Sequence, residues 1–357
     1  MKKILLFTDS IGAGGAQRQL VGLAYLLKDK GYHVKVCTYH HSDFYKSYLD
    51  ENHIKNEIIP NALDTKKRIW AVHQYFKREK PDWVIAYQET PSLVACFSRL
   101  MGCKFKLIVS ERNTTQIVGW NERVRFFLYR YADAIIPNSF AQENWLTAHY
   151  PWMKKKIKTI TNFVDLEKFN YVEHIRKDIP VIMVAASVWH PKNTLGLITA
   201  TSILKDRGVK LKIMWYGKTK KWVEYLSDCY KLIEQYELDE YFSLLDKTKD
   251  IKSKYHESDY FCLPSFYEGT PNVICEAIAS GLPVMCSDVC DNSRYVVDGK
   301  NGILFNPQNP YDMADKIQTF ISQSDDDYMK ACKESRNHAE KLLSKEIFIE
   351  KYLQILK

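Results

Sequence analysis

The stretch that decides the fold is "DYFCLPSFYEGTPNVICEAIASGLPVMCSD", Asp259 to Asp288. A short apolar run, "DYFCLPS", reads as a buried strand. A turn follows, then an apolar segment, "VICEAIAS", introduced by Thr270 as an N-cap with Pro271 at the first helical position. Gly281 stops that helix and Pro283 lies beyond it. "PVMCSD" is the next strand. Strand, helix and strand on so few residues predict a parallel βαβ unit.

The same alternation runs outward in both directions. Toward the N-terminus, "KKILLFTD", "YHVKVCTY", "DWVIAYQ", "KLIVSE" and "AIIPNS" read as strands. Between them "AQRQLVGLAYLLKDKG", "KKRIWAVHQYFKREKP", "SLVACFSRLMG" and "ERVRFFLYRYA" read as helices, and "AQENWLTAHY" follows as another. The rhythm breaks over "DLEKFNYVEHIRKD", Asp165 to Asp178, and restarts with "PVIMVAAS" and a helix from Thr194 to Asp206. "KLKIMWYG", a helix near Trp222 to Gln235, "YFSLLD" and, after the quoted stretch, "GILFN" complete a second set. The chain of 357 residues suits two such domains. The expected division is an N-terminal Rossmann-like domain over residues 1–168 and a C-terminal one over 178–343. Residues 344–357, "SKEIFIEKYLQILK", form a last helix expected to return to the first domain. Two doubly wound α/β domains facing each other across a cleft bind ligands at the carboxyl ends of their strands.

Composition removes several function classes. Hydrophobic residues make up 46% and charged residues 26%, which is globular composition. Nine cysteines are scattered with no zinc spacing and no CxxC pair, which suits thiols in a reducing compartment. The apolar run Ile4 to Phe7 is too short for a signal-peptide core, and no run of about 18 apolar residues is present to span a membrane. A net charge of +8 admits anionic partners, yet no recognition helix or stacking platform for nucleic acid is legible. "DSIGAGGAQRQ" supplies Gly12, Gly14 and Gly15 between a strand and a helix. It misses the dinucleotide fingerprint, because Gln17 stands where the third glycine belongs, and NAD is disfavoured. The run Asp325 to Asp327 reads as a solvated loop rather than a metal site.

Glu268 and Glu276, with seven residues between them, carry the chemistry of the opening stretch. Glu268 precedes a helix start whose first amides, at Asn272 and Val273, favour an anion. Glu276 lies about 8 Å along the helix axis. Phosphate held at the helix start and hydroxyls held by carboxylates suit a sugar joined to a diphosphate. The alternative is a surface glutamate together with an acidic residue that complements the helix dipole.

An ordered set of segments resolves that choice by resemblance. "GAGGAQRQL", "ADAIIPNS", "ITNFVDLEKF", "HPKNTLGLI", the E-x7-E stretch and "VVDGKNGILF" together resemble a retaining glycosyltransferase of family 4 with the GT-B fold. The likeness is to enzymes of bacterial polysaccharide, capsule and lipopolysaccharide assembly. It implies that Glu268 contacts the hydroxyls of the donor sugar, Glu276 the ribose, and Lys192 the diphosphate. Gly269, Thr270, Pro271, Asn272, Val273, Gly14, Gly15, Ser187 and Asn193 would line the donor. No metal and no other cofactor is then required.

The sequence departs from the family at several places. Ser187 stands where an arginine is common, and Arg294 or another basic residue is the candidate substitute. Arg294 itself falls where a glutamate is usual. In "IVSERNTT", Ser110, Glu111 and Arg112 occupy the place of a frequent histidine. Arg112 would face the leaving phosphate or Glu111 the acceptor hydroxyl, or the two serve as structural ion pairs.

The implied reaction moves a hexose or N-acetylhexosamine from a nucleotide-diphosphate sugar, UDP before GDP, to a hydroxyl of a polysaccharide or lipid-linked oligosaccharide precursor. The rival readings are a nucleotide-sugar epimerase of the same fold and a non-catalytic subunit that binds nucleotide sugar or lipid. Trp120–Ala132 and His149–Lys158 interleave cations with aromatics. They are the candidate peripheral contact with an anionic membrane, at the inner face of a cytoplasmic enzyme.

Overall fold

In the computed structural model, which describes residues 1–112, 118–218 and 220–357, the quoted stretch folds as strand Tyr260–Leu263, helix Asn272–Ala279 and strand Val284–Ser287. Both strands are buried along their length, as central strands of a parallel sheet must be when helices cover both faces. The helix is apolar nearly all round, and Ile274, Cys275, Ala277, Ile278 and Ala279 are all buried. It begins one residue later than the N-cap reading placed it: Pro271 is the cap residue and Asn272 the first helical one. Its end closes as a Schellman motif. Leu282 N–H donates to the Ala277 carbonyl, Gly281 N–H donates to Ile278, and Gly281 takes φ +87°. A Cβ on Gly281 would lie 2.5 Å from the Tyr171 ring, so the close approach as well as the backbone angle requires glycine.

The chain divides into two compact units, Met1–Asn162 with Lys345–Lys357, and Phe163–Ser344. The first holds strands β1 (Lys3–Phe7), β2 (His33–Thr38), β3 (Lys55–Ile58), β4 (Trp83–Tyr87), β5 (Lys106–Glu111) and β6 (Ala134–Pro137). All are parallel, in the order β3-β2-β1-β4-β5-β6. The second holds β7 (Val181–Ala185), β8 (Lys212–Lys218), β9 (Phe242–Asp246), β10 (Tyr260–Leu263), β11 (Val284–Ser287) and β12 (Gly302–Phe305). Their order, β12-β11-β10-β7-β8-β9, repeats the connectivity of the first sheet. Each sheet reverses direction of growth once, between β1 and β4 and between β7 and β10. Those are the switch points outside which open α/β sheets bind ligands.

Several elements were not legible in the sequence. β3, "KNEI", has no buried apolar pattern because it is an edge strand. Glu57 on β3 pairs instead with Lys35 of β2, whose ammonium also reaches Glu79 at 2.7 Å. The acidic run is not a loop: Asp325–Leu343 is a helix capped by Ser324, with Asp325 paired to Arg176 and Asp327 to Lys330. Acidic residues in a first helical turn complement the dipole there. Residues 163–178 lack helix and strand but pack on the second unit. Val164 N–H donates to Leu343, Arg336 donates to the carbonyls of Leu166 and Phe169, and His174 meets the Ser280 carbonyl at 2.9 Å. The last helix, Lys345–Leu356, belongs to the first unit, where the Tyr352 and Tyr87 hydroxyls lie 2.9 Å apart. No helix among the described residues is long and apolar enough to cross a membrane.

Candidate active site

β7 and β10 are neighbours at the switch point of the second sheet, and the loops leaving their carboxyl ends carry Lys192 and Glu268. After β7 the chain makes a single turn of 3-10 helix, His190–Lys192, and Asn193 then takes the left-handed conformation. After β10 it runs through Ser265 to Thr270 into helix Asn272–Ala279. One backbone bond fastens the two loops: Phe266 N–H donates to the Pro191 carbonyl at 3.0 Å. The His190 and Phe266 rings also meet, with centroids 5.3 Å apart. With the loops locked together, Lys192 Nζ lies 2.5 Å from Glu268 Oε1. Both side chains remain partly accessible, so the pair sits at the surface of the unit rather than in its core.

Glu276 has a different setting. It is only 3% exposed, and the Tyr255 hydroxyl donates to its Oε2 at 3.0 Å. Tyr255 is fully buried in helix Ile251–His256, a short helix with no marked pattern in the sequence. Helix Asn272–Ala279 begins between the two carboxylates. Ile274 N–H and Cys275 N–H both donate to the Pro271 carbonyl at its first turn, and the positive end of its dipole lies toward the Glu268 loop. At its other end, Arg336 donates to the Ala279 carbonyl at 2.8 Å, a cation on the negative end of the dipole.

The remaining predicted donor residues are placed less uniformly. Gly269 is half-buried between Glu268 and the helix. Thr270 is buried, with the Tyr295 hydroxyl 3.5 Å from its Oγ1. Ser187 lies in the loop after β7. The buried Asn193 side-chain amide donates to the Pro307 carbonyl at 2.8 Å and fixes the turn that carries Lys192. Arg294 lies exposed on the short helix Asn292–Tyr295, its carbonyl 2.7 Å from His338 Nε2. Two groups at the carboxyl ends of β7 and β8 were missed. Trp189 and Trp222 stack with centroids 5.3 Å apart. Lys218 ends β8 beside Ser187, where Gly217 accepts from Val188 N–H, and its ammonium meets Asp246 at 3.4 Å.

The first unit holds Gly14, Gly15, Glu111 and Arg112. Gly14 caps helix Gly15–Asp29 at the end of the β1 loop, and the Gln17 side chain folds over it to bond Asp9 at 3.1 Å. Glu111 is 1% exposed at the end of β5. It accepts from the Tyr129 hydroxyl and pairs with buried Arg125 at 3.4 Å. Burial pushes its carboxyl above the usual range, against the pull of Arg125 and Tyr129. Glu111 is thus one half of a buried ion pair with Arg125. Arg112 is also buried, held by Ser110 and Asn162.

The basic-aromatic stretch Trp120–Ala132 divides by helical period. Arg125, Phe126 and Leu128 face inward, while Trp120 (77% exposed), Arg123, Phe127 (55% exposed) and Arg130 face out. Of His149–Lys158, Lys154, Lys155 and Lys158 are exposed, while Lys156 is tied to the carbonyls of Arg130 and Ala132. Among the described residues no group of three His, Cys, Asp or Glu converges as metal ligands would.

Comparison with known proteins adds the family. Residues 13–168 match Glycosyltransferase Family 4, and residues 179–323 match Glycosyl transferases group 1. The N-acetylgalactosamine-N,N'-diacetylbacillosaminyl-diphospho-undecaprenol 4-alpha-N-acetylgalactosaminyltransferase of Campylobacter jejuni is 26% identical, over 93% of each chain. The amylovoran biosynthesis glycosyltransferase AmsD of Erwinia amylovora is 24% identical over 86% of this chain and 89% of its own. A glycosyltransferase structure from Rickettsia africae superposes with a TM-score of 0.87 at 17% identity, covering 100% of this chain and 99% of that one. HepE of Anabaena, in complex with UDP and glucose, superposes with a TM-score of 0.85 at 18% identity and the same coverage. The fold is therefore GT-B.

Proposed function

We propose, for a chain that belongs to glycosyltransferase family 4, that it moves a hexose or N-acetylhexosamine from a nucleotide-diphosphate sugar to a hydroxyl of a lipid-linked oligosaccharide or surface-polysaccharide precursor. The observation that carries this reading is the meeting of Lys192 and Glu268 at the switch point of the second sheet, beside the start of helix Asn272–Ala279. A cation and a helix start suit a diphosphate, and a carboxylate beside them suits sugar hydroxyls. UDP is the favoured carrier, supported by the UDP complex of HepE, and the acceptor class follows the diphospho-undecaprenol of the Campylobacter relative's name.

In this reading the bond between the anomeric carbon and the diphosphate oxygen breaks as the acceptor oxygen bonds to the same face. The acceptor proton passes to the departing phosphate. Lys192 and the positive end of helix Asn272–Ala279 hold the charge that develops on the leaving group, a term that is usually large. Glu268 orients the sugar, and Glu276, fixed by Tyr255, holds the ribose. No carboxylate serves as nucleophile, so the glycosidase scheme for retention does not apply. No step is assigned to a metal, and turnover is expected to survive chelation by EDTA. The outward face of Trp120, Arg123, Phe127 and Arg130 rests on an anionic membrane surface and brings the first unit to its acceptor.

A panel of UDP-, GDP-, ADP- and TDP-sugars tests the reading. One diphosphate-sugar class raises the melting temperature and is consumed when acceptor is present. A protein that responds to none of them has another function, and one that converts the donor without acceptor is an epimerase.

A further inference from the structure

We propose that Arg112 forms a built anion site in the first unit, one that takes a phosphate or diphosphate group of a substrate. Arg112 is 7% exposed, and its guanidinium is always charged. A buried charge is unfavourable unless an opposite charge and hydrogen bonds compensate it. The same unit shows what compensation looks like: Arg125, buried to a similar degree, lies 3.4 Å from both Glu111 and Glu89. Arg112 has no carboxylate partner among the described residues. Among those residues only neutral groups touch it. Nη1 donates to Ser110 Oγ at 3.4 Å, Nη2 donates to the Asn162 amide oxygen, and Nε has no acceptor.

The setting is that of a held group rather than a stray one. The guanidinium lies over the Tyr87 ring, 4.9 Å from its centroid, and the Tyr87 hydroxyl is held by Tyr352. Stacking and the Asn162 bond fix the guanidinium plane, which leaves donors for a planar, bidentate partner. Arg112 also follows directly on β5, and Gln88 directly on β4, at the carboxyl ends of adjacent strands. Gln88 N–H donates to the Ser110 carbonyl at 3.1 Å. Its backbone is held at φ +75° and ψ 173°, a region that side-chain-bearing residues rarely adopt and that gathers at functional sites. A strained residue and a buried cation with no carboxylate among the described residues thus share the ligand end of one sheet.

The glycosyltransferase reading supplies only the source of the phosphate: the diphosphate of the donor, or that of a lipid-linked acceptor. Calorimetry with UDP, farnesyl diphosphate and inorganic pyrophosphate separates them, on the full chain and on Arg112→Met, Arg112→Lys and Lys192→Met. The folded Arg112→Met protein is expected to lose at least about tenfold in affinity for UDP or for farnesyl diphosphate, with partial recovery in Arg112→Lys. Loss confined to UDP assigns the donor, and loss confined to farnesyl diphosphate assigns the acceptor. Arg112→Met binding all three probes as the wild type does overturns the proposal. So does a fall in melting temperature with unchanged binding, which would make the guanidinium a brace. If Arg112→Met does not fold, Arg112→Lys gives the same comparison. Should Lys192→Met lose UDP while Arg112→Met binds all three probes as the wild type does, the donor reading stands and this one falls. Should the wild type ignore UDP while Arg112→Met loses farnesyl diphosphate or pyrophosphate, the reverse holds.

Discussion

Lys192 and Glu268, 76 residues apart in sequence, meet at 2.5 Å because β7 and β10 are neighbours and Phe266 is bonded to Pro191. The proposed reading gives Lys192 to the phosphates and Glu268 to the sugar hydroxyls, and the ion pair makes the placement of each depend on the other.

Because the two act as one unit, their losses are not additive. Lys192→Met and Glu268→Ala are each expected to lower sugar transfer by roughly 100-fold or more. The double variant should cost little beyond the worse single one. Initial rates with the identified donor measure this, and fully multiplicative losses would show the residues working independently.

Tyr255→Phe removes only the hydroxyl that holds Glu276. A neutral-to-charged hydrogen bond of this kind is worth about 1.5–3 kcal/mol, which caps the expected weakening of nucleotide binding at around 100-fold. Titration with UDP and uridine should show both affinities falling together. A drop for UDP alone would place Glu276 at the phosphates.

For the buried pair, Arg125→Met is expected to destabilise the first unit by about 3–5 kcal/mol, because Glu111 is left without its cation. Urea unfolding followed by tryptophan fluorescence reads this. Glu111→Gln should lose activity only as far as it loses folded protein. A stable, inactive Glu111→Gln would instead make Glu111 a catalytic group.

Acid sensitivity centres on Glu79. Burial acts to raise its carboxyl, but hydrogen bonds from Lys35 and Lys3 prevail and hold it down at about 2. Glu57 is likewise lowered, with Lys35 overcoming burial. Depressed carboxylates contribute stability that is present above their unfolded pKa, about 4.3, and lost as pH falls toward the folded value. The melting temperature should therefore drop between about pH 4.5 and 2, and Glu79→Gln should flatten that slope.

Membrane contact has its own test. Wild-type protein should sediment with vesicles containing anionic lipid and release as salt rises. Arg123→Glu with Arg130→Glu should abolish that binding and leave donor affinity unchanged. Equal binding to neutral vesicles would assign the contact to Trp120 and Phe127 alone.

The alternation of apolar runs with amphipathic segments was legible in single residues: "ILLF", "WVIAY" and "YFCL" are buried strands because helices cover both faces of their sheets. β3 escaped because an edge strand has no such pattern. The helix Asp325–Leu343 escaped because its acidic first turn resembles a solvated run. At the site, the helix start and Gly281 stop could be read locally, since capping and left-handed backbone are properties of adjacent residues.

By itself, then, the sequence determined the fold class, the position of helix Asn272–Ala279 and the residue types around it, all consequences of short-range patterning. Only the tertiary structure decided the partners. It set Lys192 against Glu268, gave Glu276 to Tyr255, turned Asn193 toward Pro307, paired Glu111 with Arg125, and brought Arg112 to Ser110 and Asn162. Those outcomes depend on which strands become neighbours at a switch point, and strand order is a long-range property that no local spacing encodes.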